Sequence, residues 1–266
     1  MLTFHKFHGL GNDFILVDGE EVQPSLDQVR ALCDRNRGVG ADGVLVVTLL
    51  SSEPLPTVQM VIFNQDGSRP EMCGNGVRCV AAYAQQIWGV GDELVVHSDA
   101  GPRRCEIQGR FEDTWQVAVD MGEVHVQKNP ATLEVGERLF SYHFVDAGNP
   151  HAVIFERPDI ETIDEAGRQA NDDHPLFVDG VNLEFAVASD GGFEVVVYER
   201  GVGRTRACGT GACAVAAAAW DTKRASPEQP LSIHLPGGPL IIERREQTVW
   251  MTGEAKSVFE GQWRDR

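Results

Sequence analysis

Two stretches of the chain share one unusual pattern: "EMCGNGVRCVAAYA" at residues 71–84 and "RACGTGACAVAAAA" at residues 206–219. Each sets a cysteine before Gly-x-Gly and then an alanine-rich run that is apolar nearly all round, as in a buried helix. A helix N-terminus carries about half a positive charge and several unpaired N–H groups. Glycine lets the backbone approach a ligand closely. The two stretches therefore predict two anion-binding helix ends, each with a thiol beside it.

Other short matches accompany this pair in the same order and at nearly the same spacing, which indicates an internal repeat. Cys73 lies over Cys208 and Asn64 over Glu199, both 135 residues apart. Asn12 lies over Asn149 at an offset of 137. The predicted fold class is α/β (α+β): two pseudo-symmetric lobes, each a β-barrel-like sheet wrapped around a central helix, with the active site in the cleft between them.

Strand-forming runs bounded by Gly, Asp and Pro dominate both copies, and two helices punctuate each copy. The helices are predicted at residues 25–35, 76–88, 160–170 and 211–223. The domains are predicted as an N-terminal lobe at 1–119, a C-terminal lobe at 120–256, and a tail at 257–266 that returns to the first lobe. We interpret "MTGEA" at 251–255 as a turn.

The composition excludes some partners. The net charge is −17 at pH 7, and 42% of the residues are apolar. Nucleic acid and anionic membranes need basic patches, so neither is expected to bind. The N-terminal residues lack the pattern of a signal peptide, and no apolar run reaches the roughly 18 residues of a membrane span. We expect a cytoplasmic protein with reduced cysteines.

Two thiols on opposite sides of one carbon suggest a specific reaction. One thiolate removes the α-proton of a carboxylate-bearing carbon, and the opposite thiol delivers a proton to the other face, which inverts the centre. A helix N-terminus lowers the pKa of a thiol, so each cysteine is expected to be a usable base. Without a cofactor the carbanion is poorly stabilised, so the helix N–H groups at the carboxylate must supply that stabilisation. No cysteine lies in a C-x-x-C pair, so no metal is expected.

The sequence resembles diaminopimelate epimerase over nearly its whole length. The stretches that carry the resemblance are "HGLGNDF" (8–14), "FNQDGS" (63–68), "MCGNGVRC" (72–79), "GNPH" (148–151), "YERG" (198–201), "ACGTGACA" (207–214) and "LPGG" (235–238). The resemblance implies an isomerase that needs no pyridoxal phosphate. Such an enzyme interconverts LL- and meso-diaminopimelate for lysine and cell-wall precursor synthesis, and it is expected to be a homodimer.

The resemblance also assigns residues. Cys73 and Cys208 match the two catalytic bases, while His151 and Glu199 match active-site groups, Glu199 engaging the reacting ammonium. The expected substrate-binding shell comprises Asn12, Asn64, Gly74, Asn75, Asn149, Asn182, Glu199, Arg200, Gly209 and Thr210, with the α-carboxylate held by the pairs 74–75 and 209–210. This chain departs from many relatives at Gly43, where they have Gln.

Three alternatives remain open at this point. A racemase of proline or histidine would use the same cysteines, but Arg200 and the asparagines suit a second charged amino-acid head better than a small apolar pocket. Phenazine-type isomerases share the fold but lack the paired cysteines. A dithiol redox or metal-binding protein would need further ligands, which the sequence does not supply.

Overall fold

The computed structural model describes residues 1–172 and 174–264. The chain forms two compact units. Unit 1 combines Met1–Asp120 with the C-terminal segment from Thr252, and unit 2 is Met121–Met251. The sequence predicted that the chain returns at residue 257; in the structure it returns at Thr252, within one continuous strand. Residues 265 and 266 of that predicted tail lie outside the described residues.

The described residues of unit 1 form two helices and eight strands. The helices are α1 (Leu26–Cys33) and α2 (Gly74–Trp88). Seven strands are β1 (Leu2–Gly9), β2 (Asn12–Asp18), β3 (Gly43–Ser51), β4 (Thr57–Asn64), β5 (Glu93–Ser98), β6 (Gly101–Phe111) and β7 (Thr114–Gly122). The eighth is the C-terminal part of β17 (Thr248–Trp263), which pairs with β1 in the register Leu2↔Trp263 and also pairs with β7. These pairings close the eight strands into a ring.

Unit 2 repeats this plan between residues 121 and 251. Its helices are α3 (Ile160–Asn171) and α4 (Gly209–Asp221). Its strands are β8 (His125–Val126), β9 (Ala131–Val135), β10 (Arg138–Asp146), β11 (Pro150–Ile154), β12 (Asn182–Ser189), β13 (Gly192–Glu199), β14 (Gly203–Thr205), β15 (Leu231–Leu235) and β16 (Gly238–Arg245).

Strand pairing confirms that the units share one topology. From β1 to β6 successive pairs are antiparallel, parallel, antiparallel, parallel and antiparallel. The series β10, β11, β12, β13, β15 and β16 shows the same alternation. Equivalent registers are Phe14↔Gly43 in unit 1 and His151↔Asn182 in unit 2. The fold class predicted from the repeat is confirmed within each unit.

A buried helix fills the centre of each unit. Helix α2 contacts β1 to β6, and α4 contacts β8, β10, β11, β12, β15 and β16. Every residue from Gly74 to Ala84 is buried, as are eleven of the twelve from Gly209 to Trp220. Alanine suits this position because it favours the helix and lets the sheet pack closely around it.

Two local predictions need correction. The central helices begin at Gly74 and Gly209, two residues before the predicted starts, because the first N–H groups of a helix need no internal acceptor and tolerate glycine there. The "MTGEA" stretch is not a turn: its residues lie inside the continuous strand β17, where the backbone is extended. No helix in the described ranges is long and apolar enough to cross a membrane.

Candidate active site

Cys73 and Cys208 occupy the same structural position, the N-cap of a central helix. Both have extended backbones, with φ/ψ of −144°/115° and −128°/110°. The first intrahelical bonds run from Val77 N to Cys73 O and from Ala212 N to Cys208 O. Residues 74–76 and 209–211 therefore supply N–H groups without an acceptor in the helix, as an anion site needs.

In unit 1 the cysteine joins a network of side-chain amides. The Cys73 thiol donates to Asn12 Oδ1 at 3.6 Å, and Asn75 Nδ2 donates to the same oxygen at 3.2 Å. Asn12 reaches this place because the β1–β2 turn passes through Leu10 and Gly11 at positive φ. Asn64, at the end of β4, donates instead to Ser68 Oγ at 2.9 Å. The structure thus brings three of the predicted unit 1 residues together and holds Asn64 separately.

Gly43 is the position where the resemblance led us to expect Gln. It lies opposite Asn64 on the neighbouring strand. A Cβ atom at Gly43 would come within 2.5 Å of the Phe63 carbonyl oxygen. The glycine therefore permits close approach of β3 to β4, and a longer side chain would need a shifted backbone.

In unit 2 the cysteine lies among carboxylates. Cys208 is only 5% exposed, and its Sγ lies 3.6 Å from Thr210 Oγ1. Glu199, at the end of β13, accepts hydrogen bonds from Thr205 and from the Cys208 thiol. Burial raises the pKa of Glu199, although these two hydrogen bonds oppose the shift.

The unit 2 environment overturns one sequence-based expectation. The helix N-terminus was predicted to lower the pKa of each thiol. For Cys208 the pKa is instead raised well above its usual range, first by burial and then by the negative charges of Glu199 and Glu184. Burial and the two nearby carboxylates therefore outweigh the helix N-terminus and favour the protonated thiol.

His151 and Glu184 form a fully buried pair beneath α4. His151 Nδ1 lies 2.6 Å from Glu184 Oε1, both side chains are 0% exposed, and His151 Nε2 lies 2.9 Å from Asn149 Oδ1. A Cβ at Gly211 would come within 2.8 Å of Glu184 Oε1 and 3.3 Å of Cys208 Sγ. Gly211 therefore makes room for the buried carboxylate as well as for a ligand.

The sequence reasoning missed Glu184. It lies on β12 within the run "NLEFAVAS", where the five residues from Asn182 to Ala186 are all buried. A carboxylate inside an otherwise buried strand is the signal that could have revealed it, because such a group needs a partner or a function.

Asn182 and Arg200 are joined through the backbone. Asn182 Oδ1 accepts from Arg200 N at 2.9 Å, and Asn182 Nδ2 donates to Pro150 O at 3.0 Å. The exposed Arg200 guanidinium donates to Asp179 O at 2.8 Å and lines an open pocket of about 550 Å³ with Arg168 and Asn171. Asn182 thus fixes the base of the Arg200 side chain.

The other four cysteines are buried, which disfavours the thiolate. Burial raises the pKa of Cys33 to about 11 and that of Cys79 to about 12, and it also raises the pKa of Cys105. Cys213 is fully buried in α4. Among the described residues no cluster of His, Cys, Asp and Glu is arranged to hold a metal ion.

Several solved structures share this fold over nearly the whole chain. A hydroxyproline epimerase from Agrobacterium vitis matches with a TM-score of 0.71 and 17% identity, covering 98% of this chain and 90% of that one. A phenazine biosynthesis protein from Bacillus anthracis matches with a TM-score of 0.72 and 13% identity, covering 98% of both chains. These structures show that the fold is shared.

Sequence similarity identifies the family. The profile of diaminopimelate epimerase matches residues 4–127 and 143–258. The diaminopimelate epimerase of Desulforudis audaxviator is 42% identical over 98% of this chain and 99% of that protein. That of Trichodesmium erythraeum is 40% identical over 97% and 98%. The chain belongs to the diaminopimelate epimerase family.

Proposed function

We propose that the protein interconverts LL- and meso-2,6-diaminopimelate by a two-base mechanism, without pyridoxal phosphate or another cofactor. The observation that carries the proposal is the cysteine at the N-cap of the central helix in each unit. Family membership supports the substrate and the place of the reaction in lysine and cell-wall precursor synthesis.

The proton balance is simple. The thiolate of one cysteine takes the α-proton, the C–H electron pair remains on the carbon and spreads into the α-carboxylate, and the opposite thiol gives its proton to the other face. The enzyme ends with thiol and thiolate exchanged, and nothing is oxidised or reduced. The N–H groups at Gly74–Asn75 and Gly209–Thr210 bind the carboxylate and stabilise the charge that develops there.

Glu199 has two tasks in this scheme. Its carboxylate binds the reacting ammonium, and the ammonium neutralises one of the two charges that raise the pKa of Cys208. Substrate binding therefore lowers the pKa of that thiol toward a useful range, so the base forms when substrate is present. His151 and Glu184 act behind the thiol as positioning residues, and Asn149 orients His151.

Arg200 is proposed to bind the distal carboxylate, since a guanidinium can donate two parallel hydrogen bonds to it. Asn182 holds the Arg200 backbone, while Asn12 and Asn64 complete the polar shell. Lysine lacks the distal carboxylate and proline lacks the distal head altogether, so both are expected to be poor substrates. Arg200→Lys should raise KM for diaminopimelate more than it lowers kcat.

The deciding experiment compares cysteine variants in deuterated water. Cys73→Ala and Cys208→Ala should each abolish inversion, because each removes the base or acid of one face. The matched controls Cys79→Ala and Cys213→Ala remove buried cysteines a few residues further along the same helices and should retain inversion. Near-normal inversion by Cys73→Ala, or by Cys208→Ala, would refute the two-base assignment.

We also propose that the protein works in the cytoplasm as a homodimer, with a small-molecule substrate and neither nucleic acid nor membrane as partner. The acidic charge supports the latter point. Light scattering after size exclusion should give twice the mass of 29.1 kDa. A monomeric mass at micromolar concentration would exclude the dimer.

A further inference from the structure

Four side chains of unit 1 form a continuous series of hydrogen bonds that ends in a charge at each side. Arg78 Nη2 donates to Asn75 Oδ1 at 2.7 Å, Asn75 Nδ2 donates to Asn12 Oδ1 at 3.2 Å, and Asn12 Nδ2 donates to Asp42 Oδ2 at 2.8 Å. Arg78 is 0% exposed, so a cation is held inside the unit directly behind the first turn of α2.

The charged ends fix the direction of both amides. A guanidinium can only donate, so Asn75 must turn its oxygen toward Arg78 and its NH2 group toward Asn12. A carboxylate can only accept, so Asn12 must turn its NH2 group toward Asp42. Arg35 Nη2 donates to the other Asp42 oxygen at 2.8 Å. Neither amide can flip without setting two donors or two acceptors against each other.

The fixed direction of the Asn12 amide determines which of its atoms faces Cys73. With its NH2 group committed to Asp42, Asn12 presents its oxygen to the Cys73 sulfur at 3.6 Å. An acceptor in that place stabilises the protonated thiol, whereas an NH2 group would stabilise the thiolate. We propose that Asp42 and Arg78 are positioning residues that keep the Asn12 oxygen on Cys73 and so hold this cysteine as a proton donor. The proposal rests on the proposed two-base function.

Other charged groups of unit 1, linked to Asp42 or His8, must be accounted for in any test. In the described part of unit 1 they lie on several elements: Lys6 and His8 on β1, Asp13 on β2, Arg35 and Asp42 between α1 and β3, and Glu254 and Lys256 on β17. Burial, and then Lys256, lower the pKa of His8, so it is neutral where a thiol titrates. Asp13 provides the matched control because it shares Arg35 with Asp42 but makes no bond to the Asn12 side chain.

The experiment measures alkylation of Cys73 by iodoacetamide as a function of pH, in the full-length protein without substrate, with peptide mass spectrometry to separate the cysteines. Asp42→Asn is nearly isosteric. It keeps an oxygen that can accept from Asn12 and from Asp13 N, but it loses the negative charge, so the NH2 group of Asn12 is held less firmly and the Asn12 oxygen is less firmly fixed on Cys73. The pH of half-maximal alkylation of Cys73 should then fall by about one unit, while that of Cys208 stays unchanged. The turnover of diaminopimelate should fall by about 10-fold.

Asp13→Asn removes the same charge from the same cluster and should move the Cys73 midpoint by less than half as much. A second pair tests the other end: Arg78→Lys retains a donor-only cation and should leave the midpoint in place, whereas Arg78→Gln should lower it. Equal shifts in Asp42→Asn and Asp13→Asn, or no shift in Asp42→Asn, would overturn the proposal. Because alkylation requires no substrate, these results do not depend on whether the protein is an epimerase.

Discussion

Phe14 in unit 1 and His151 in unit 2 lie at equivalent places, since each pairs with the first residue of the following parallel strand. Two residues further along those strands lie Leu45 and Glu184. Each of these packs beside the second glycine of its central helix, Leu45 against Gly76 and Glu184 against Gly211.

The same backbone therefore carries an apolar pair in one unit and a buried ionisable pair in the other. Unit 1 shows that the fold does not need His151 and Glu184, because Phe14 and Leu45 fill the same places. A buried ion pair adds little stability compared with well-packed apolar residues, since both charges lose their hydration. The pair in unit 2 is best explained by chemistry at Cys208 rather than by folding.

The first and largest expected effect comes from giving unit 2 the residues of unit 1. The double variant His151→Phe/Glu184→Leu should keep or raise the free energy of unfolding, while turnover falls by between about 100-fold and 10,000-fold. The single variant Glu184→Leu leaves His151 without its partner and should be the least stable of the set. Denaturant titration and steady-state kinetics measure both quantities, and a double variant with normal turnover would remove the functional explanation of the difference.

The second effect distinguishes the two helix glycines. Gly211→Ala sets a methyl group 2.8 Å from Glu184 Oε1 and should cost about 1–3 kcal/mol of stability by overpacking, with a loss of turnover. Gly76→Ala meets only Leu45 methyl carbons at 3.5 Å and the Cys73 Cβ at 3.6 Å, which are ordinary contacts. It should keep the fold and gain helix propensity. Thermal denaturation compares the two variants, and equal destabilisation would show that the carboxylate does not explain Gly211.

The third and smallest effect concerns acid. Asp13 of unit 1 aligns with Pro150 of unit 2, so only unit 1 has a carboxylate there. Burial alone would raise the pKa of Asp13, but hydrogen bonds from Arg35 and Lys6 outweigh it and lower the pKa to about 2. A depressed pKa stabilises the fold above the unfolded pKa of 3.8, and this stability is lost as the pH falls toward 2.

Asp13→Asn should therefore cost unit 1 about 2 kcal/mol at neutral pH, and the cost should shrink below pH 4. Hydrogen exchange with mass spectrometry follows each unit separately: the difference between wild type and variant should appear in β1 and β2 but not in β11. A difference that persists unchanged at pH 2 would show that the carboxylate charge is not its source.

The features predictable from sequence were those encoded by local pattern. The cysteine before Gly-x-Gly and the apolar helix that follows it predicted a thiol beside each helix N-terminus, and the repeat placed Asn12 over Asn149. Glu184 escaped because its equivalence with Leu45 depends on strand register: the two lie 139 residues apart, whereas the sequence matches run at 135 and 137. The raised pKa of Cys208 could not be predicted for a related reason. Its largest cause is burial, which depends on the whole packed unit and not only on residues near the cysteine in sequence.

The ring of unit 1 has a consequence for synthesis of the chain. Its last strand comes from residues 252–263, so residues 1–120 leave the ribosome before that strand is made and expose the unpaired edges of β1 and β7. Unit 2, by contrast, is one uninterrupted segment. Exposed strand edges invite pairing with other chains. Unit 1 is therefore completed after unit 2. A ribosome that stalls before residue 252 leaves a nascent chain with two unpaired strand edges, which chaperones would have to cover.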